Sequence, residues 1–407
     1  MPESPSAGLR QVTRQRSASS RRNDEVLLDA GSAEIVAVGV DRLTMSAVAR
    51  RAGLTTGALY SRYENSGELA AAIWTSRVRD QHRELLDAAI RGLVDRDPSA
   101  SLDELVAELR TPSPATLLAI EFLATARRID ELEEVVLPDV QGWLADWHAA
   151  PRARDQRRRA QIAFTLAAVW GIVLHELPGA RKLDWAYVTK NLRWSFAQPY
   201  DHGREPLVPD RVQSVHADTG NAGQDALIDS VALIVARVGF ERASATRIAR
   251  RAGLTSGSIY ARYRTKDELL EDAVAILLTR RFSDDLAANS HTFSDADPGS
   301  ATARVVGGYL SAPRRDWRRF RIEAQLAARH REGLARTLDR VQEAAIGEYL
   351  DLLGARTPED RRRLDIIARF AQVIPLGITF VDQVAPETSG IDWRLVLGPL
   401  LTPTSSG

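Results

Sequence analysis

A chain of 407 residues is long enough for two or three domains with substantial cores, and its 44% hydrophobic and 27% charged residues exclude a disordered or fibrous class. The formal net charge is zero, so any affinity for nucleic acid has to come from local patches rather than from bulk charge. The absence of cysteine excludes disulfides, zinc-thiolate sites and thiol redox sensing, and it fits a reducing compartment, by default the cytoplasm.

Residues 1–22 carry Arg10, Arg14, Arg16, Arg21 and Arg22 among Ser, Ala and Gln, without the apolar core of a signal peptide. They read as a disordered basic arm, either a plain tail or a segment that follows DNA phosphates or the minor groove. The next segment, 23–70, contains AVARRAGLTTGALYSRY from Ala47, and RIARRAGLTSGSIYARY returns from Arg247, 200 residues later. Between Ala49–Tyr63 and Ala249–Tyr263, eleven of fifteen positions are identical, which points to duplication. Leu27-Leu28-Asp29 faces Leu227-Ile228-Asp229, and Glu68-Leu69 faces Glu268-Leu269. Thr44 and Ser244 are placed to cap a short helix that ends near the arginine pair. Ala52-Gly53-Leu54 and Ala252-Gly253-Leu254 then make a turn that needs a positive φ, and a second short helix starts at Thr55 or Thr255.

That second helix opens on Thr55-Thr56-Gly57-Ala58 in one copy and Thr255-Ser256-Gly257-Ser258 in the other. A helix end that approaches base edges in the major groove has to be slim. Arg50, Arg51 and Arg62 stand between residues 44 and 63 with no acidic residue, and Arg247, Arg250, Arg251 and Arg262 repeat that local charge. A generic helical hairpin is the plain alternative for one copy, and duplication argues against it for two.

Residues 71–198 read as a helical lobe. A long helix over 152–177 has a core of Ile162, Phe164, Leu166, Val169, Ile172 and Val173 that is too apolar for water and too short to span a bilayer, so no membrane partner is expected. Pro199 to Gly223 holds three Pro and three Gly and reads as a linker, whose roughly 24 residues at ~3.3 Å each reach ~80 Å. A second head over 224–270 and a second lobe over 271–401 follow. The counterpart of the long helix runs from about Glu359 to Val384, and Pro375 inside it should kink or break it. No segment alternates as a strand would, so the chain reads as all-α.

Leu27 to Leu69 and Leu227 to Leu270 resemble the DNA-binding domain of the tetracycline-repressor (TetR) family, whose pattern of apolar-Ala, Ala-Gly, Gly and Tyr is met twice. The resemblance implies two TetR-like units in tandem, each a helix-turn-helix domain followed by a helical effector and dimerisation domain, packed as an intramolecular pseudo-dimer through the last two helices of each half. It assigns backbone contacts on DNA to Tyr60 and Tyr260, where the alternative is a ring packed on its neighbour. It assigns base reading to Ser46, Thr56, Gly57 and Ala58, and to Thr246, Ser256, Gly257 and Ser258. Arg50, Thr55, Arg62, Arg247, Arg250, Thr255, Arg262 and Lys266 complete the DNA-facing set. Lys266 fits the family's phosphate-binding position, and its counterpart is Ser66. Glu34 stands at a normally apolar position that Ile234 fills in the other copy, so the first head is the divergent one.

For the effector, the resemblance implies a pocket in each lobe, and Phe122, Trp143, Trp147 and Trp170 are candidates for a small hydrophobic ligand against a core reading. His175 reads as a core histidine. Arg157 to Arg159, Arg314 to Arg321 and Arg361 to Arg363 read as solvated helix faces rather than an anion site. No catalytic, phosphate-loop or metal-ligand motif is present, so neither an enzyme nor a cofactor is expected. The function expected is a ligand-responsive repressor that binds double-stranded DNA at an asymmetric two-half-site operator as a single chain, with further pairing of chains left open. The alternative is an interaction scaffold, or a regulator in which only the second head is active.

Overall fold

The computed structural model describes residues 6–149, 155–176, 183–200, 207–208, 212–290, 297–352, 357–385 and 390–401. In the first half, α1 spans Ser6–Val38, α2 Met45–Ala52, α3 Thr56–Tyr60, α4 Ser66–Ile73, α5 Arg79–Ala89, α6 Leu102–Arg110, α7 Pro114–Thr125, α8 Asp130–Ala149, α9 Gln156–His175 and α10 Trp185–Ala197. In the second half, α11 spans Ala222–Arg242 with a break at Gly239, whose φ is 80°, and α12 spans Ala245–Arg251, α13 Ser256–Tyr260, α14 Lys266–Ser290, α15 Pro298–Leu310, α16 Arg315–Ala328, α17 Glu332–Leu352, α18 Pro358–Val384 and α19 Arg394–Leu401. The fold is all-α, with no strand among the described residues.

The chain divides into two compact units, one of Met1–Gln81 with Pro114–Leu137 and the other of His82–Ser113 with Pro138–Gly407. In the first, α1 packs on α2, α4 and α7 around Leu27, Ile35, Val48, Leu59 and Leu69. Helix α7 joins this unit because it packs on α1 and on the wide helical turn Trp74–Val78, where Trp74 and Phe122 meet edge to face at 6.4 Å. The arm differs from expectation. Residues 6–22 continue α1, since Ser6 to Arg22 contains no proline and holds five Arg, which sustain a helix. Residues 1–5, and the side chains of Arg10, Arg14, Arg16 and Arg21, lie outside the described residues.

In the second unit, the core of α11 to α14 runs without a break into α16 and α17 through Leu227, Ile228, Phe240, Leu269, Val274, Phe320 and Leu334. The same unit holds α9 and α10, which pack against α18 and α19. These four helices are the expected interface between halves, formed within one chain. Backbone proximity sets its geometry. A Cβ on Gly377 would lie 1.7 Å from the carbonyl oxygen of Ala167, and one on Gly171 would lie 2.4 Å from that of Val373. Side chains are excluded from both positions, so α9 and α18 cross nearly in contact.

Pro375 does not break α18, which continues to Val384. The N–H it lacks would have bonded the carbonyl of Ala371, a residue on the exposed side of the helix. Arg361–Val384 is long and apolar enough to cross a membrane by length and composition, but 67% of its most apolar window is buried inside the protein. In the linker, residues 201–206 and 209–211 lie outside the described residues. Its described parts are tied to the second half: Tyr200 donates to Asp297 at 2.8 Å, and Asp229 receives the backbone N–H of Ala217 at 2.8 Å.

Gly377→Leu is expected to lower the unfolding free energy by about 3 kcal/mol or more in urea titration, because backbone atoms cannot move aside. Gly142→Ala, on an exposed helix position where a Cβ meets nothing within 4 Å, is expected to raise it by about 0.5–1 kcal/mol.

Candidate nucleic-acid interface

Each head places two short helices at a fixed angle by caps and one glycine. Thr44 accepts the N–H of Ala47 at 3.3 Å and Ser244 that of Arg247 at 3.3 Å, so α2 and α12 begin where the sequence predicts. Gly53 and Gly253 turn the chain with φ of 66° and 70°, a backbone state that other residues resist. Thr55 and Thr255 then cap α3 and α13, accepting from Ala58 and Ser258 at 3.2 Å in both cases. Both hydroxyls are thereby engaged in the fold, which makes Thr55 and Thr255 positioning residues first.

The outer face of each head is open. Tyr60 and Tyr260 are 54% and 57% exposed, so neither ring is packed away. Ser46, Arg50, Thr56 and Gly57 are exposed in the first head with Ala58 half-buried, and Thr246, Arg247, Arg250, Gly257, Ser258 and Arg262 are exposed in the second with Ser256 half-buried. A Cβ on Gly57 would meet only Thr55 Oγ1 at 4.0 Å, and one on Gly257 only Thr255 Oγ1 at 3.6 Å. Nothing inside the protein demands glycine there.

The heads differ in their free charge. Arg51 Nε donates to Glu34 at 2.8 Å, so the acidic residue at the otherwise apolar position holds down one guanidinium. Arg62 pairs with Asp24 and also donates to the Ala58 carbonyl at 2.8 Å. In the second head Ile234 and Gln224 replace those carboxylates, and Arg250, Arg251 and Arg262 have no hydrogen-bond or ion-pair partner among the described residues. Lys266 is turned inward: its Nζ donates to the carbonyls of Phe240 and Glu241 at 3.3 and 3.2 Å, closing the end of α11. The phosphate role expected for it does not match this placement, because two carbonyls of its own domain are closer at hand.

Two arginines brace the heads to the helices behind them, and spacing in the sequence gave no sign of either. In the first unit Arg128 grips Asp41 with both nitrogens, at 2.9 and 3.0 Å, while Glu121 accepts the Val40 N–H at 3.4 Å. In the second, Arg331 pairs with Glu241 and with Asp267 at 2.9 Å, and its guanidinium lies 4.7 Å from the centre of the Phe240 ring.

This arrangement, two capped short helices with an exposed slim N-terminus, an exposed Tyr and free arginines, defines a helix-turn-helix DNA-binding protein. Residues 27–73 and 230–273 both match the family model of bacterial regulatory proteins of the tetR family. The chain thus carries two segments that match that family's DNA-binding domain. Relatives include an HTH-type transcriptional regulator of Mycobacterium tuberculosis, found in two strains and described as uncharacterized. It is 27% identical over 149 residues, which cover 35% of this chain and 76% of the relative.

The four aromatic residues expected to line a pocket are all buried, Phe122 in the first unit and Trp143, Trp147 and Trp170 in the second, where the rings of Trp143 and Trp170 lie 6.3 and 6.4 Å from that of His82. Trp147 donates to Asp87 at 2.6 Å. Trp170 donates to Nε2 of His82 at 2.9 Å, which leaves the ring proton on Nδ1, and His82 was not singled out by sequence because its partner lies 88 residues away. The arginines of 314–321 are also placed differently: Arg318 and Arg321 lie on the buried side of α16, and Arg314, just before that helix, is buried too.

Burial alone pushes the His82 imidazole down to about 3, and burial with the nearby Arg321 and Arg369 charges pushes His175 down to about 4. The unfolded chain protonates both near 6.5, so it binds more protons than the folded chain below that pH, and stability falls as pH drops from about 6.5 toward 4. Each ring contributes up to about 1.4 kcal/mol per pH unit. His82→Gln, which keeps an acceptor for Trp170, is expected to reduce the slope of urea-unfolding stability between pH 6 and 4.5 by about one proton; an unchanged slope would contradict this account of His82.

Proposed function

We propose that this regulator is a ligand-responsive repressor that binds an asymmetric operator of two half-sites as a single chain. The reading rests on one observation above all: two exposed recognition helices carry glycines that the fold does not require. A helix that must approach base edges closely explains both glycines, and Tyr60 and Tyr260 beside them supply backbone contacts. The half-sites are related but unequal, because Ser46, Ala47 and Ala58 stand where the second head has Thr246, Arg247 and Ser258. Covalent linkage makes the second head's binding intramolecular and raises its effective concentration. The effector acts by binding one arrangement of the heads better than the other, through the Arg128 and Arg331 braces. Such a protein works in the cytoplasm, beside the chromosome.

The free arginines favour a stronger second head. In-vitro selection on random duplex DNA is expected to enrich a two-part site with its better-defined half contacted by α13, while a single enriched half-site would mean the first head is idle. On the selected site, Gly57→Ala and Gly257→Ala are expected to leave the melting temperature within about 1 °C and weaken binding about ten-fold each. Arg250→Ala is expected to lower the salt slope by about one.

A further inference from the structure

Arg321, on α16, is 8% exposed, and the hydrogen bond its guanidinium makes is a long one, 3.5 Å to the Tyr309 hydroxyl. No carboxylate pairs with it among the described residues. Its neighbours are already matched to other partners. Arg369 binds Glu343 at 2.8 Å and Asp365 at 3.0 Å, and Arg318 binds Asp382 at 2.7 Å. Beside these groups, the buried His175 imidazole and the Gln372 amide oxygen lie next to each other, without a hydrogen bond of good geometry. Gln325 donates to the His175 carbonyl at 2.9 Å, and Tyr309 reaches Thr379 at 3.3 Å, which draws α9, α15, α16 and α18 around one spot. On α18, Arg369, Gln372 and Thr379 follow at spacings of three and seven and so share a face.

A buried guanidinium with no anion among the described residues, next to an imidazole and an amide oxygen that are poorly paired, is costly unless something else meets its charge. We propose that this part of the second lobe is the effector site and that the effector is an organic monocarboxylate, gripped by the Arg321 fork with His175 and Gln372 completing its polar contacts. One uncompensated guanidinium matches one carboxylate in charge and geometry. The proposal rests on the ligand-responsive reading for its biological role, but binding itself can be measured without DNA.

The test is thermal denaturation of the full chain with millimolar butyrate, octanoate, octanamide or inorganic phosphate, for wild type and Arg321→Met. At least one of the two carboxylates is expected to raise the wild-type melting temperature by several degrees and to do nothing for Arg321→Met, while octanamide and phosphate have no effect. Arg321→Met without ligand is expected to be at least as stable as wild type, since it removes an unmatched charge. Equal carboxylate shifts in both proteins, no carboxylate shift in wild type, a shift from phosphate alone, or a strongly destabilised Arg321→Met would each overturn the site. A carboxylate that binds through Arg321 yet leaves operator affinity unchanged would keep the site and remove the regulatory reading.

Discussion

The near contact of two helix backbones, at Gly171 on α9 and Gly377 on α18, is the constraint on which the second unit depends. With no side chain on either residue, α9 and α18 approach closely enough for their apolar faces to interdigitate, and Trp170 meets Phe380 edge to face at 6.3 Å while Phe164 meets Phe370 at the same distance. Hydrophobic association of this kind is ordinarily the work of two separate protomers. Joining both halves in one polypeptide removes the translational cost of bringing them together and makes the interface independent of concentration. It also frees each half to change without a symmetric change in the other.

The two heads show what that freedom has produced. Caps, turn glycine, buried Leu59 or Ile259 and exposed Tyr are the same in both, because those residues set the angle between the two short helices. The surface charges have drifted. Glu34 and Asp24 neutralise Arg51 and Arg62 in the first head, where Ile234 and Gln224 leave Arg251 and Arg262 of the second head without a carboxylate partner among the described residues. A partner helix behind each head is held by a buried or half-buried arginine, Arg128 or Arg331, so motion in a lobe has a stiff path to its reading helix.

Much of this was legible in the sequence because it is local. The caps at Thr44, Ser244, Thr55 and Thr255 and the positive φ at Gly53 and Gly253 depend on residues within a few positions, and duplication confirmed the pattern by repetition. The long apolar helices announced themselves by composition. What the sequence hid is long-range pairing. Lys266 looks like a phosphate ligand until its carbonyl partners 25 and 26 residues earlier are known, and the arginines of α16 look like a solvated face until their buried spacing is seen. Pro375 looked like a break because local rules price the lost hydrogen bond and ignore the packing against α9 through which α18 continues. The arm, read as disordered from its composition, continues α1 because nothing in Ser6 to Arg22 stops a helix.

The central claim is that one chain supplies both heads of a regulator. The stoichiometry of the complex with a selected two-half-site duplex, measured by sedimentation at nanomolar concentration, addresses it most directly. The account predicts one 44.8 kDa chain per duplex, unchanged on dilution. Two chains per duplex, each using a single head, would contradict it.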